Sequence, residues 1–374
     1  MNVEPMLNFA LLDRLINNDQ AFLLYKEPQS LHPSLAVFSD SSIDYLYHTR
    51  ELNGKSGYVF APFEPNEEHP IVLLKAVAFF SGETAINAYL EKIVSEMSLQ
   101  ETRFSHSVVL VADKKFARKS YETAFEACHN AVVGGDCQKV VLSRKYSMER
   151  PSGFSPARLF QNACTKYAEA YVYLFHTPKS GTWLGSSPEA LLMSHGTSYQ
   201  TVALAGTQAS QPNTEVMWDA KNRLEQQIVS DYVERTLEEF GLNPEKQGPY
   251  SIEAAQLVHL KTTFHFEMSE STNIGLGTLL DGLHPTPATC GFPKEKAMQL
   301  IRRHERHDRS YYCGFVGSIG VEEATHLSVN LRCMCILPTM LVLYAGGGVM
   351  ADSSCDLEWE ETESKLQTLL SLLT

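Results

Sequence analysis

Apolar positions along this chain recur with two periods, one near 3.6 and one of 2. Residues 118–134 show the first: Tyr121, Phe125 and Cys128 share a stripe, and Gly134-Gly135-Asp136 closes the segment as a helix end. Residues 218–240 predict a longer helix with Val229, Tyr232, Val233, Thr236 and Phe240 on its inward stripe, and residues 294–304 predict another. Short apolar runs between turn residues predict strands at 36–38, 57–61, 71–74 and 139–148. Two hairpins follow, 171–176 with 182–185 and 190–194 with 199–204. Strands at 314–319, 327–336 and 340–344 complete the set, the last two turning through Leu337-Pro338-Thr339.

Successive hairpins interrupted by helices predict an α+β fold with antiparallel sheets, not a βαβ alternation. No internal repeat and no Pro/Gly/Ser linker divides the chain, and no dinucleotide or P-loop glycine pattern is present. Residues 1–374 therefore read as one large domain, with a variable part over 1–110 and a motif-bearing core over 115–374.

Composition narrows the function classes. The 374 residues are 44% hydrophobic, enough for a substantial core, and the formal net charge of −13 argues against nucleic acid as the partner. No signal-peptide pattern and no apolar run of membrane-spanning length occurs, so a cytoplasmic soluble protein is expected. The eight cysteines form no C-x-x-C pair, and Cys333 and Cys335 alternate onto one face of a strand. Buried reduced thiols are the reading, rather than a zinc site.

Candidate chemistry gathers near the C-terminus. Gly346-Gly347-Gly348 ends the apolar run 341–344, and glycine lets backbone approach a ligand closely. Glu358, Glu361 and Lys365 share one helix face, where two acids can hold a hard cation and the lysine a carboxylate. Taken alone, that face is an ordinary solvated one with a Glu–Lys pair. Glu225 falls on the inward stripe of its helix, and Arg332 falls inside an apolar strand; both need partners there. Lys139 opens a strand, where a lysine is usually a solvated edge charge, and Glu189 sits in a Ser-Pro-Glu turn.

These segments resemble the signatures of the chorismate-utilising enzymes. The resemblance rests on Lys139-Val140-Val141-Leu142-Ser143-Arg144, Ala205-Gly206-Thr207, and Leu283-His284-Pro285-Thr286-Pro287-Ala288. It continues through Arg332, the glycine run, and Glu358-Trp359-Glu360-Glu361-Thr362 with Lys365, all in family order. The family includes isochorismate synthase, salicylate synthase, and the first components of anthranilate and aminodeoxychorismate synthase. It implies one domain of antiparallel sheets packed as a sandwich, helices outside, and a deep site binding chorismate and Mg²⁺. Carried over by position, Glu225 and Glu361 are metal ligands with Glu358 close by. Gly206, Thr207, Ala288, Arg332, Gly346 and Lys365 match substrate contacts, while His284 is divided between a site role and a structural one.

Two positions sort the family by reaction. Lys139 matches the base that activates water, where amine-adding relatives typically carry Gln. Ala205 stands where aminodeoxychorismate synthases carry a nucleophilic lysine. Water is therefore the implied nucleophile, and no obligatory glutaminase subunit is expected. The implied activity is that of an isochorismate synthase serving menaquinone or siderophore synthesis, with salicylate synthase and a silent chorismate-binding protein as rivals. In the implied mechanism a neutral Lys139 takes a proton from water attacking C2, and a protonated Glu189 gives one to the departing C4 hydroxyl. Thr289-Cys290-Gly291, Arg309-Ser310 and Gly314-Phe315 depart from the family pattern and affect loop shape.

Overall fold

The computed structural model describes residues 6–96, 114–209, 216–254, 257–269, 272 and 274–373. The chain begins α1 (Phe9–Asn17), β1 (Phe22–Lys26), β2 (Ser34–Val37), β3 (Ile43–Leu46), β4 (Gly57–Ala61), β5 (Ile71–Leu74), β6 (Ala78–Ser81), α2 (Glu83–Glu96). It continues α3 (Lys114–Val133), β7 (Lys139–Glu149), α4 (Pro156–Lys166), β8 (Tyr171–Thr177), β9 (Gly181–Ser187), β10 (Ala190–His195), β11 (Ser198–Ala209), α5 (Ala220–Glu239). The last part is β12 (Glu245–Ala254), β13 (Leu257–Glu267), α6 (Leu276–Leu283), β14 (Gly291–Phe292), α7 (Lys294–His304), β15 (Phe315–Val321), β16 (Ala324–Val329), β17 (Cys333–Ile336), β18 (Met340–Val349) and α8 (Cys355–Leu370).

The strands form two nine-stranded sheets, β14-β7-β18-β17-β9-β8-β1-β2-β6 and β12-β13-β11-β10-β16-β15-β4-β5-β3. Aromatic side chains fill the gap between them: Phe60 of β4 lies 4.4 Å from Phe175 of β8 and 4.4 Å from Tyr311, ring centre to ring centre. The outer face of the first sheet is covered by α1, α2, α4 and α8 through Leu12, Leu90, Phe160 and Leu366; α5 and α6 cover the second through Val229, Val233 and Leu280. This is the predicted α+β sandwich with helices outside. Among the described residues no helix is long and apolar enough to cross a membrane.

Most predicted elements appear with shifted ends. The helix over 118–134 is α3, stopped at Gly135, whose φ of +84° suits glycine. The hairpin over 171–185 is β8–β9, with His176 opposite Thr182. Cys333 and Cys335 do face the same side, into the inter-sheet core, while Met334 and Ile336 face the helices. The first hundred residues supply strands to both sheets, β1, β2 and β6 to one and β3, β4 and β5 to the other. The boundary at residue 110 lies outside the described residues.

Two expectations are corrected. Residues 327–336 are not one strand: β16 ends at Val329 in one sheet and β17 begins at Cys333 in the other. The break is fixed by Asn330, whose side chain accepts from Tyr173 Oη at 2.6 Å and donates to Tyr311 O at 2.8 Å, and by Arg332 at φ +47°. Arg332 is thus on a crossing between sheets, not inside a strand. The glycines also do not end their strand. β18 runs on to Val349, pairing Gly346 with Ser143 and Gly348 with Val141.

Candidate active site

The site forms where β7 and β18 lie side by side beneath the first turns of α5 and α8. Lys139 opens β7 but is fully buried, against the edge-strand reading, because Phe292 pairs with it from β14 and closes that side. Its Nζ lies 2.8 Å from Glu225 Oε1, an ion pair without hydrogen-bond geometry. The glycines of β18 make the room. A Cβ added at Gly348 would fall 2.5 Å from Glu225 Oε1 and 2.8 Å from Lys139 Cε. One at Gly347 would fall 2.7 Å from Glu358 Oε2. Glycine is required here by close approach, not by φ.

α5 begins at Asp219, whose Oδ1 accepts from Asn222 N at 2.7 Å. Asn222 Oδ1 in turn accepts from Thr207 N at 3.0 Å, tying the helix to the irregular step of β11 at Gly206, where φ is +72°. That step turns Gly206 and Thr207 toward the cavity. From α8, Lys365 reaches Glu361 at 2.6 Å and donates to Gly346 O at 2.8 Å, so it is held at the glycine strand.

One cavity is lined by Glu189, Gly206, Thr207, Glu225, Ala288, Arg332, Gly346 and Lys365. Eight sequence-predicted residues therefore meet there. Lys139, Glu358 and Glu361 stand just behind that wall, each in contact with a glycine or lysine of it. His284 does not line the cavity; it is buried edge-on against Phe315, with ring centres 5.1 Å apart, which is a packing role.

Electrostatics separates the groups. Glu189 is buried, and desolvation drives its carboxyl up to about 8, although Lys139, Lys365 and Arg332 pull the other way. Burial thus favours its neutral form at pH 7. Burial also raises Glu361, but Lys365, Lys221 and Arg332 together outweigh it and hold Glu361 below the usual carboxylate range. Glu358 is raised by burial and by Glu361, against the pull of Lys221. The positive charge of Arg332 comes with a buried Nη1 that has no protein partner; such a group suits an anionic ligand.

The three glutamates suit a hard cation. Glu358 is only 1% exposed, and its Oε2 has no partner, a costly state for a buried carboxylate oxygen unless a ligand satisfies it. Each glutamate is paired with a lysine: Glu225 with Lys139, Glu361 with Lys365, and Glu358 with Lys221 at 2.6 Å. Among the described residues, only Glu68, His69 and Asp308 bring three potential ligand atoms within 4.8 Å of one another, at the surface.

Two residues of the site were missed in the sequence. His259 lines the cavity, with Nδ1 3.2 Å from Thr207 Oγ1 and burial driving it down to about 3, so it is neutral. Its only sequence signal is a polar ring among the inward positions of a strand. Lys221 stands one helical turn before Glu225, and that spacing was readable.

A buried acid, a buried lysine, a guanidinium with an unpartnered nitrogen and three glutamates are thus gathered around glycine backbone. The chain belongs to the chorismate-binding enzyme family, whose model matches residues 65–374. It is 31% identical over 242 residues to the vibriobactin-specific isochorismate synthase of Vibrio cholerae serotype O1, covering 62% of this chain and 61% of that one. It is 32% identical over 245 residues to isochorismate synthase EntC of Escherichia coli (strain K12), covering 63% and 62%. The match thus spans less than two thirds of these relatives' length. The structure of MenF, the menaquinone-specific isochorismate synthase from Escherichia coli, shares the fold with a TM-score of 0.74 at 19% identity, covering 97% of this chain and 91% of that one.

Proposed function

We propose that this chain is an isochorismate synthase, converting chorismate to isochorismate by adding water at C2 and expelling the C4 hydroxyl. The observation that carries the reading is a fully buried lysine, Lys139, standing behind the wall of the cavity that the buried Glu189 lines. A lysine is kept from solvent at one place, and a carboxyl raised to about 8 waits at another. Such a pair supplies a base and an acid to opposite ends of one displacement. The relatives' names support the choice of reaction.

In this reading Lys139 takes the proton of the attacking water, and the ion pair with Glu225 is the counter-charge of its ammonium form. Glu189 delivers its proton to the leaving hydroxyl. Arg332 and Lys365 hold substrate carboxylates, and the backbone at Gly206, Thr207, Ala288 and Gly346 shapes the space around the ring. Glu225, Glu358 and Glu361 would hold Mg²⁺, which supplies charge neutralisation and orientation for the dianion. With water as the nucleophile, no glutaminase subunit is needed. The eight cysteines carry no disulfide, which fits a cytoplasmic setting. The product would feed menaquinone or catechol siderophore synthesis.

The test is direct. Chorismate and Mg²⁺ are incubated with the purified chain and the products separated. Isochorismate in a mixture with chorismate, reached from either side, is expected. Stoichiometric salicylate and pyruvate would make it a salicylate synthase; unchanged chorismate would refute both.

A further inference from the structure

Lys221 has no task in that reaction, and it does not line the cavity. Yet it joins the two helices that carry the glutamates. It leaves α5 one turn before Glu225 and meets Glu358 on α8, one turn before Glu361. Its Nζ lies 2.6 Å from Glu358 Oε1, and Ser353 Oγ donates to the same oxygen at 2.7 Å. The other oxygen, Oε2, is buried, unpartnered and turned toward Gly347. One side of Glu358 is thus taken by the protein's own cation while the other is left open.

Glu225, Glu358 and Glu361 are each ion-paired with one lysine, Lys139, Lys221 and Lys365 in turn, and Arg332 adds a further positive charge that acts on Glu361. Lys139, Lys365 and Arg332 have tasks in the proposed reaction; Lys221 has none and acts on the glutamates alone.

We propose that Lys221 sets the charge of the cation site, holding down the affinity of the three glutamates for a divalent ion. This rests on reading those glutamates as the cation site. Two effects oppose each other when the lysine is removed. Glu358 loses one of two hydrogen bonds and the neighbouring charge that favours its ionised form, which weakens it as a ligand, but Ser353 still holds Oε1. The entering ion loses repulsion from a nearby ammonium, and a double charge feels that repulsion twice over in a poorly screened interior. The second effect is the larger.

The experiment titrates the full chain with Mg²⁺ alone by calorimetry, comparing wild type with Lys221→Met, Lys221→Arg and the double variant Lys221→Met/Glu358→Gln. Lys221→Met is expected to bind Mg²⁺ at least about tenfold more tightly, and to show a larger Mg²⁺-induced rise in Tm. Lys221→Arg should match wild type, and the double variant should fall back to wild-type affinity or below. A folded Lys221→Met with unchanged or weaker affinity overturns the proposal. Should that variant fail to fold, Lys221→Gln decides in the same way, since it keeps a hydrogen-bond donor and loses the charge. A wild type that binds no Mg²⁺, with or without chorismate, overturns the cation site itself, and so is distinct from one that binds but is indifferent to Lys221.

Discussion

Glu189 and Arg332 lie on neighbouring crossings between the two sheets, one from β9 to β10 and the other from β16 to β17. The crossings are stitched together, Ser186 N donating to Arg332 O at 3.1 Å and Val329 N to Glu189 O at 2.9 Å. The backbones that carry the carboxyl and the guanidinium are therefore joined along one seam.

The raised Glu189 carboxyl gives a pH dependence with a definite sign. As the proposed proton donor it must stay protonated, so turnover should fall as pH rises through about 8. Stability should fall over the same approach. Between the ordinary glutamate value of 4.5 and about 8 the folded state keeps a proton that the unfolded state releases. The slope approaches roughly 1.4 kcal/mol per pH unit there. Glu189→Gln should abolish turnover and flatten that slope, a pairing checked by assays and urea unfolding at pH 6 to 9; a steep slope retained in the variant would assign it to another group.

Lys139→Ala should cost more than roughly a hundredfold in turnover, the usual reach of general base catalysis, while chorismate still binds. Turnover rates and calorimetric binding of chorismate, with folding confirmed by circular dichroism, check this. Near-normal turnover in the folded variant would require a different base.

Removing a proposed cation ligand should be as damaging. Glu225→Ala and Glu361→Ala are each expected to lose most activity, and exhaustive chelation of the wild type should do the same until Mg²⁺ is restored. Full activity after chelation would remove the metal from the reaction.

The glycines offer a steric test. Gly348→Ala puts a methyl group 2.5 Å from Glu225 Oε1, while Gly346→Ala meets nothing closer than 3.1 Å. A misplacement of this size near reacting groups can cost on the order of a hundredfold. Gly348→Ala should therefore lose far more turnover than Gly346→Ala, with Tm little changed in either. Equal rates in both would show that Glu225 and Lys139 can give way.

Much of this site was legible because its chemistry is local in sequence. Glu225 stood out as an acid on an apolar stripe, and the α8 pattern placed Glu358, Glu361 and Lys365 on one face. The rest depended on who covers whom. Lys139 reads as an edge residue until β14 is known to lie beside it. The crossing at Asn330 is hidden because β16 and β17 are both largely buried, so their apolar residues run together across a change of sheet. The β12–β13 hairpin, which brings in His259, and helix α4 drew no prediction, though Pro156 after the capping Ser155 marks the start of α4.

The pairing of β7 with β18 also bears on how the molecule is made. Lys139 needs the glycine strand beside it and α8 above, both far downstream in the chain. Contacts so distant close slowly, after local hairpins and helices have formed. During synthesis Lys139 emerges long before the carboxylates of α8 that complete its surroundings, and until they arrive the proposed site is incomplete. Recovery of turnover after dilution from denaturant should therefore lag behind recovery of helix signal, making activity a late marker of the native state.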